Sequence, residues 1–172
     1  NTYWKQEQAV ELSQLTPTDE SLGKEGYRLT FSPSTIQVEA NSDLGLLYGV
    51  YDLLRRQETE NLIQEGIINE VPAYQYRVLN HWDNPDLSVE RGYAGNSLWK
   101  WEQLPDTLSP VYEEYARANA SIGINCTVLN NVNADPIMLT TDYLYKVKAL
   151  ADIFRPYGLK VYISINFASP KR

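Results

Sequence analysis

The chain has 172 residues, 43% hydrophobic and 22% charged, an ordinary balance for a chain that buries a core and a length that suits one medium domain or two small ones. A net charge of −7 and a pI near 4.7, with no local Lys/Arg cluster, repel phosphate backbones, so no nucleic-acid partner is expected. One cysteine, Cys126, excludes an internal disulfide, and one cysteine with one histidine is too few for a usual zinc site.

The first elements read as α+β. Tyr27–Phe31 and Thr35–Ala40 are short alternating runs around Ser32-Pro33-Ser34, the pattern of a hairpin. Ile36, Val38 and Ala40 share one face. A helix follows, capped by Asn41 or Ser42, with Asp43 at its positive end. Leu44, Leu47, Tyr48, Tyr51 and Leu54 recur at helical spacing. Gly45 and Gly49 lie one turn apart and each costs roughly 1 kcal/mol of helix stability against Ala; the pair predicts close packing on a sheet. Residues 58–66 read as a loop, Ile67-Ile68 as a short strand, and Pro72 as a domain boundary. That gives an N-terminal α+β domain over residues 1–72.

From residue 73 onward the order becomes strand, helix, strand, helix, strand. Tyr76–Leu79, Thr127–Leu129 and Val161–Ile165 are short apolar runs, as for strands buried on both sides. The first helix starts at Ser109 with Pro110 in its opening turn, carries Tyr112, Tyr115, Ala116, Asn119 and Ile122 as its stripe, and stops at Gly123. Thr140 or Thr141 caps the second, whose apolar face is Tyr143, Val147, Leu150, Ala151 and Phe154 and which Pro156 and Gly158 end. Two glycosylation sequons, at Asn119 and Asn125, fall in a helix and at a buried strand and are read as chance.

Each strand runs out into polar residues: His81-Trp82-Asp83-Asn84, Asn130-Asn131-Val132-Asn133, and Asn166-Phe167-Ala168-Ser169-Pro170. Amides, carboxylates and aromatics at strand ends point to one polar site. No Gly-rich phosphate loop follows any strand. A (βα)₈ barrel places its site at the C-terminal strand ends but needs about 250 residues. The expected fold is therefore α/β: the first three βα units of an incomplete (βα)₈ barrel over residues 73–172, preceded by the small α+β domain. The aromatic residues are 13 Tyr and 4 Trp against 3 Phe. Flat faces with polar handles suit sugar rings, as they also suit a Tyr-rich core. No apolar run approaches a membrane span, so a soluble chain with no membrane partner is expected. The opening residues are too polar for a signal peptide, and without an initiator Met the localisation stays open.

Val78–Asn84, then Glu90-Arg91-Gly92-Tyr93-Ala94-Gly95, then Ser121–Asn125 with Val128–Ala134, then Phe154–Gly158 with Asn166–Pro170 resemble, in order and spacing, glycoside hydrolase family 67, the xylan-processing α-glucuronidases. Gly26–Leu29 and Gly45–Val50 resemble the end of that family's N-terminal domain. The resemblance implies removal of α-1,2-linked 4-O-methylglucuronic acid from the terminal xylose of xylooligosaccharides, with inversion and with no metal or other cofactor. It implies glucuronoxylan-derived oligosaccharides as partners and leaves open a homo-oligomer formed through other regions. It also implies catalytic carboxylates on later strands, beyond Arg172, so that this chain holds part of the substrate pocket and is inactive alone. A non-catalytic carbohydrate-binding module using the same strand ends is the alternative.

The expected substrate-binding residues are His81, Trp82, Glu90, Arg91, Asn131, Val132 and Asn166. The resemblance makes Trp82 the wall that blocks internal xylan decorations and Val132 part of the xylose side. His81 either meets a sugar hydroxyl or is a satisfied buried histidine. Glu90 accepts from hydroxyls, and Arg91 offers a planar fork. Asn130, Asn131 and Asn133 can serve sugar hydroxyls or cap loop backbone. Asp83 and Asp86 are read as loop-holding rather than catalytic.

Overall fold

In a computed structural model, residues 8–59, 65–92 and 95–166 are described. They fall into two units, one reaching Gln75 and including Ser121–Gly123, the other beginning at Tyr76. The architecture is mixed α/β.

In the first unit, Tyr27–Phe31 (β2) and Thr35–Ala40 (β3) pair antiparallel, as the alternation predicts. Ala9–Gln14 (β1) adds parallel to β3, and Gly66–Glu70 (β4) adds antiparallel to β2, giving the order β1-β3-β2-β4. β1 was not anticipated. It is exposed along its whole length, so no buried alternation marks it. The expected loop at 58–66 falls largely on residues 60–64, outside the described ones.

Asp43–Glu58 (α1) packs on this sheet. Ser42 caps it, its hydroxyl accepting from Gly45 N at 3.2 Å, and Arg55 and Arg56 both bind the buried Asp52 at 2.8 Å. The two glycines are explained by the approach of helix to sheet. A Cβ on Gly45 would lie 2.6 Å from the Gly26 carbonyl oxygen and 2.8 Å from the Ala40 Cβ, and one on Gly49 would lie 2.6 Å from Val38 Cγ1.

In the second unit, Val78–Asn80 (β5), Cys126–Val128 (β6) and Lys160–Tyr162 (β7) form a parallel sheet in sequence order. Pro110–Ser121 (α2) and Thr141–Phe154 (α3) are the connecting helices. Most of the predicted faces are packed: Tyr112, Ala116, Leu150 and Phe154 are fully buried, together with Leu129 and Met138, whereas Ile122, expected in the stripe, lies past the end of α2 and is 68% exposed. Trp99 and Trp101, from the loop before α2, join them at 0% and 1% exposure. The sequon asparagines Asn119 and Asn125 are buried. Thr140 stands at the N-cap of α3 without a side-chain cap bond; its hydroxyl donates to Ile137 O instead.

The expectation of strands buried on both sides holds only for β6. Cys126 and Thr127 are at 0% exposure, whereas Val78 and Tyr162 are 45% and 42% exposed. Among the described residues β5 and β7 each have a strand on one side only, so their outer margins lack cover.

Gly49→Ala should destabilise the first unit by about 1–3 kcal/mol, because its methyl must displace Val38 or the helix. Urea unfolding followed by far-UV circular dichroism checks this, and an unchanged midpoint would contradict the packing described.

Candidate functional site

The site begins with the way β5 ends. The chain stays extended past Asn80: His81 N donates to Val128 O at 3.0 Å, and Asp83 bridges antiparallel to Val89. Successive side chains of an extended segment point to opposite faces. His81 and Asp83 therefore turn inward, toward α2 and the loop at Ser97. Asn80 and Trp82 turn into a cleft of about 340 Å³.

Three strand ends build that cleft. The exit of β5 supplies Asn80 and Trp82 and, further along, Glu90 and Arg91; the exit of β6 supplies Asn131, Val132 and Asn133; Ser164 follows β7. Trp82 and Val132 stand open, at 41% and 55% exposure. The Arg91 guanidinium lies 5.8 Å from the centre of the Trp82 ring, within cation–π range. Arg91 takes φ +65°, a costly backbone for a non-glycine residue and one that clusters at functional sites. Asn133 Nδ2 donates to both Glu90 oxygens, at 3.2 and 3.4 Å, tying the first loop to the second.

The asparagines divide their work. Asn130, 1% exposed, donates to Ser164 O at 3.0 Å and accepts from Ser164 N at 3.1 Å, which joins the ends of β6 and β7. Asn131 donates to Asn84 Oδ1 and to Asp83 O and accepts from Asn133 N at 2.6 Å. Its side chain holds the two loops together at the cleft, which it also lines. Asp86 accepts from Ser88 N and Oγ at 3.0 and 2.6 Å, the loop-holding role read from the sequence, and these bonds keep its carboxyl below the usual range.

Beneath Trp82 lies a polar chain. Thr127 Oγ1 meets Tyr115 Oη at 2.8 Å, and Tyr115 Oη meets His81 Nε2 at 2.7 Å. His81 Nδ1 faces Asp83 Oδ1 at 3.7 Å, longer than a hydrogen bond. Ser97 Oγ donates to Asp83 Oδ2. Burial opposes ionisation of Asp83, but His81 and the Ser97 hydroxyl outweigh it and hold the carboxyl below its ordinary value. Burial pushes the Tyr115 phenol up, and the Asp83 charge adds to this.

Of the residues expected from sequence, Trp82, Glu90, Arg91, Asn131 and Val132 share the cleft. His81 is turned to the opposite side, against Trp99 and Tyr115. Asn166 is half-buried beyond β7 and does not line the cleft. Tyr93-Ala94 and Phe167–Pro170 lie outside the described residues. Asn80 and Ser164 were missed; period-two alternation from Trp82 was the available signal for Asn80. Among the described residues, no three His, Cys, Asp or Glu side chains gather as a metal would require, and no helix is long and apolar enough to cross a membrane.

Comparison with known proteins bears on the fold and the family. A crystal structure of a beta-N-acetylhexosaminidase matches with a TM-score of 0.57 at 16% identity, over 91% of this chain and 35% of that one. A GH138 enzyme targeting pectin rhamnogalacturonan II matches with a TM-score of 0.61 at 13% identity, over 89% of this chain and 20% of that one. The fold is thus shared with these two proteins. The profile of the glycosyl hydrolase family 67 middle domain matches residues 56–172, and that of glycosyl hydrolase family 20, domain 2, matches residues 2–70. The chain belongs to glycosyl hydrolase family 67. It is 40% identical over 150 residues to the probable alpha-glucuronidase A of Neosartorya fischeri, covering 87% of this chain. It is 38% identical over 151 residues to the alpha-glucuronidase A of Aspergillus tubingensis. The chain spans 18% of the length of these relatives.

Because the Asp83 carboxyl is depressed in the folded state, its stabilisation is complete above the unfolded carboxylate range, near pH 4, and is lost as pH falls through the lower folded value. Asp83→Asn should therefore cost about 1–3 kcal/mol at pH 7, and the gap to wild type should narrow as pH falls below the unfolded carboxylate range. Denaturant unfolding read by tryptophan fluorescence across pH 2–7 measures the gap; a constant difference would contradict the assignment.

Proposed function

We propose that the chain is part of an α-glucuronidase that removes 4-O-methylglucuronic acid from the terminal xylose of xylooligosaccharides with inversion, and that its cleft is one wall of the substrate pocket. The lining of the cleft carries this reading: an open indole, a guanidinium, amides and a single carboxylate. Trp82 offers a flat face to the C–H side of a sugar ring. Glu90, steadied by Asn133, accepts from hydroxyls, and Arg91 offers a fork to a carboxylate. Val132 supplies an apolar contact on the xylose side. The relatives named alpha-glucuronidase A support a glucuronic-acid glycoside as the substrate, and glucuronoxylan-derived oligosaccharides are the partners proposed for it.

An inverting glycosidase needs a general acid and a general base about 6.5–9.5 Å apart. Glu90 alone among the described carboxylates lines the cleft, and Asp83 is buried at 4% exposure. In this reading the acid and base are supplied by other residues of the whole protein. In the same reading, residues 73–172 are the opening three units of a (βα)₈ barrel and residues 1–72 a preceding α+β domain. Support for the barrel comes from the place of the cleft, at the C-terminal ends of parallel strands, where barrel enzymes keep their sites. No metal or other cofactor is required by such chemistry.

The 172-residue chain should release no methylglucuronate from aldouronic acids, while a reading frame extended to the length of the relatives should release it. Release by the short chain would overturn the placement of the carboxylates. An inactive long form that still binds the oligosaccharides would instead mark a non-catalytic binding module. In the active long form, Trp82→Ala should admit internally decorated xylan fragments. Glu90→Gln should raise KM or lower kcat by about 10- to 100-fold, as for an interaction strengthened in the transition state, with Tm near wild type. A large fall in Tm instead would make Glu90 structural.

A further inference from the structure

We infer that Tyr115 is a positioning residue for Trp82, acting through His81 and Asp83 to hold the indole in the cleft. The inference rests on the reading of that cleft as a sugar-binding wall. Tyr115 sits on α2 and does not line the cleft. Its hydroxyl has two partners, His81 Nε2 at 2.7 Å and Thr127 Oγ1 at 2.8 Å. Thr127 is fully buried in β6, the middle strand, so the pair of bonds fastens the exit of β5 to the most enclosed strand.

The fastening acts on both neighbours of Trp82. His81 is held at one ring nitrogen by Tyr115 and faces Asp83 with the other, at 3.7 Å. Asp83 is held by Ser97, whose own hydroxyl accepts from Trp99 N at 3.1 Å. Planar peptides leave each residue two soft dihedrals. With the side chains on either side anchored, the Cα–Cβ direction of Trp82 has little freedom. The Trp82 carbonyl is held as well, accepting from Glu90 N at 2.7 Å. What remains to the indole is rotation about its own bonds, restrained by Arg91 above its face.

Tyr115→Phe removes only the hydroxyl. The ring keeps its contacts with Trp99 at 5.2 Å and Phe154 at 5.6 Å, while His81 Nε2 loses its partner. Tyr112 is the matched control: also on α2 and buried, its hydroxyl accepts from Lys100 N at 3.1 Å and has no part in the chain beneath Trp82.

The test is fluorine NMR of the chain labelled with 5-fluorotryptophan, the Trp82 line being identified by its loss in Trp82→Phe. Tyr115→Phe and Asp83→Asn should each shift or broaden that line, and Tyr112→Phe should leave it in place. An unmoved line in both variants, or an equal change in Tyr112→Phe, would overturn the inference. Should Tyr115→Phe not fold, Thr127→Val removes the other partner of the same hydroxyl and should move the Trp82 line in its stead. In the length-extended enzyme, Tyr115→Phe should lower kcat/KM on aldouronic acids by up to about 100-fold, the usual cost of an ångström of misplacement. That loss should vanish in a Trp82→Ala background, because coupled residues are not additive; an undiminished loss there would overturn the inference. A moved fluorine line in a protein that proves inactive would count against the proposed activity and leave the positioning role standing.

Discussion

The cleft depends on one alternation. From Asn80 to Asp83 the chain is extended, so odd and even residues go to opposite sides. The even ones, Asn80 and Trp82, are free to face solvent because the odd ones are committed inward. His81 meets Tyr115 at 2.7 Å and Asp83 meets Ser97. A shift of one residue in the register of β5 against β6 would exchange the two sets, leaving a buried indole and an exposed histidine and aspartate. The internal polar chain thus fixes which residues form the wall, besides stabilising the exit.

The three strand ends are joined by amides rather than by charges. Asn130 exchanges bonds with both backbone groups of Ser164. Asn131 gathers the exit of β5 through Asp83 O and Asn84, and Asn133 reaches Glu90. An asparagine offers both donors and acceptors, so it satisfies loop backbone that a carboxylate could serve only as an acceptor. Satisfying these buried groups matters because each one left unpaired costs about 1–3 kcal/mol. A rigid frame of this kind lets Trp82, Val132 and Arg91 remain exposed without the loops collapsing over them.

Local periodicity made much of this legible in the sequence. The hairpin at Tyr27–Ala40 and most of the faces of α2 and α3 follow from spacing alone; on α1 the buried face is turned from the expected one, with Asp52 and Leu53 buried and Leu54 45% exposed. Gly45 and Gly49 pointed to the close approach later seen at Val38 and Gly26. What could not be read depends on distant partners. β1 is an exposed edge whose identity comes from pairing with β3. The exposure of β5 and β7 depends on what flanks the sheet. Trp99 and Trp101 lie in a loop with no periodic signal, yet fill the core. At the site, the residue types clustered after each strand marked the place, but type alone could not assign sides. His81 and Trp82 are adjacent in sequence and face apart.

In the proposed function, the surface formed by Trp82, Glu90, Arg91 and Val132 contacts a uronic sugar. It is tested most directly by a crystal structure of the length-extended protein with a methylglucuronosyl xylo-oligosaccharide bound. A sugar ring should lie within van der Waals reach of the Trp82 indole, about 4 Å, with Glu90 bonded to a hydroxyl and the two hydrolytic carboxylates supplied by other segments. A ligand bound elsewhere, with Trp82 untouched, would contradict it.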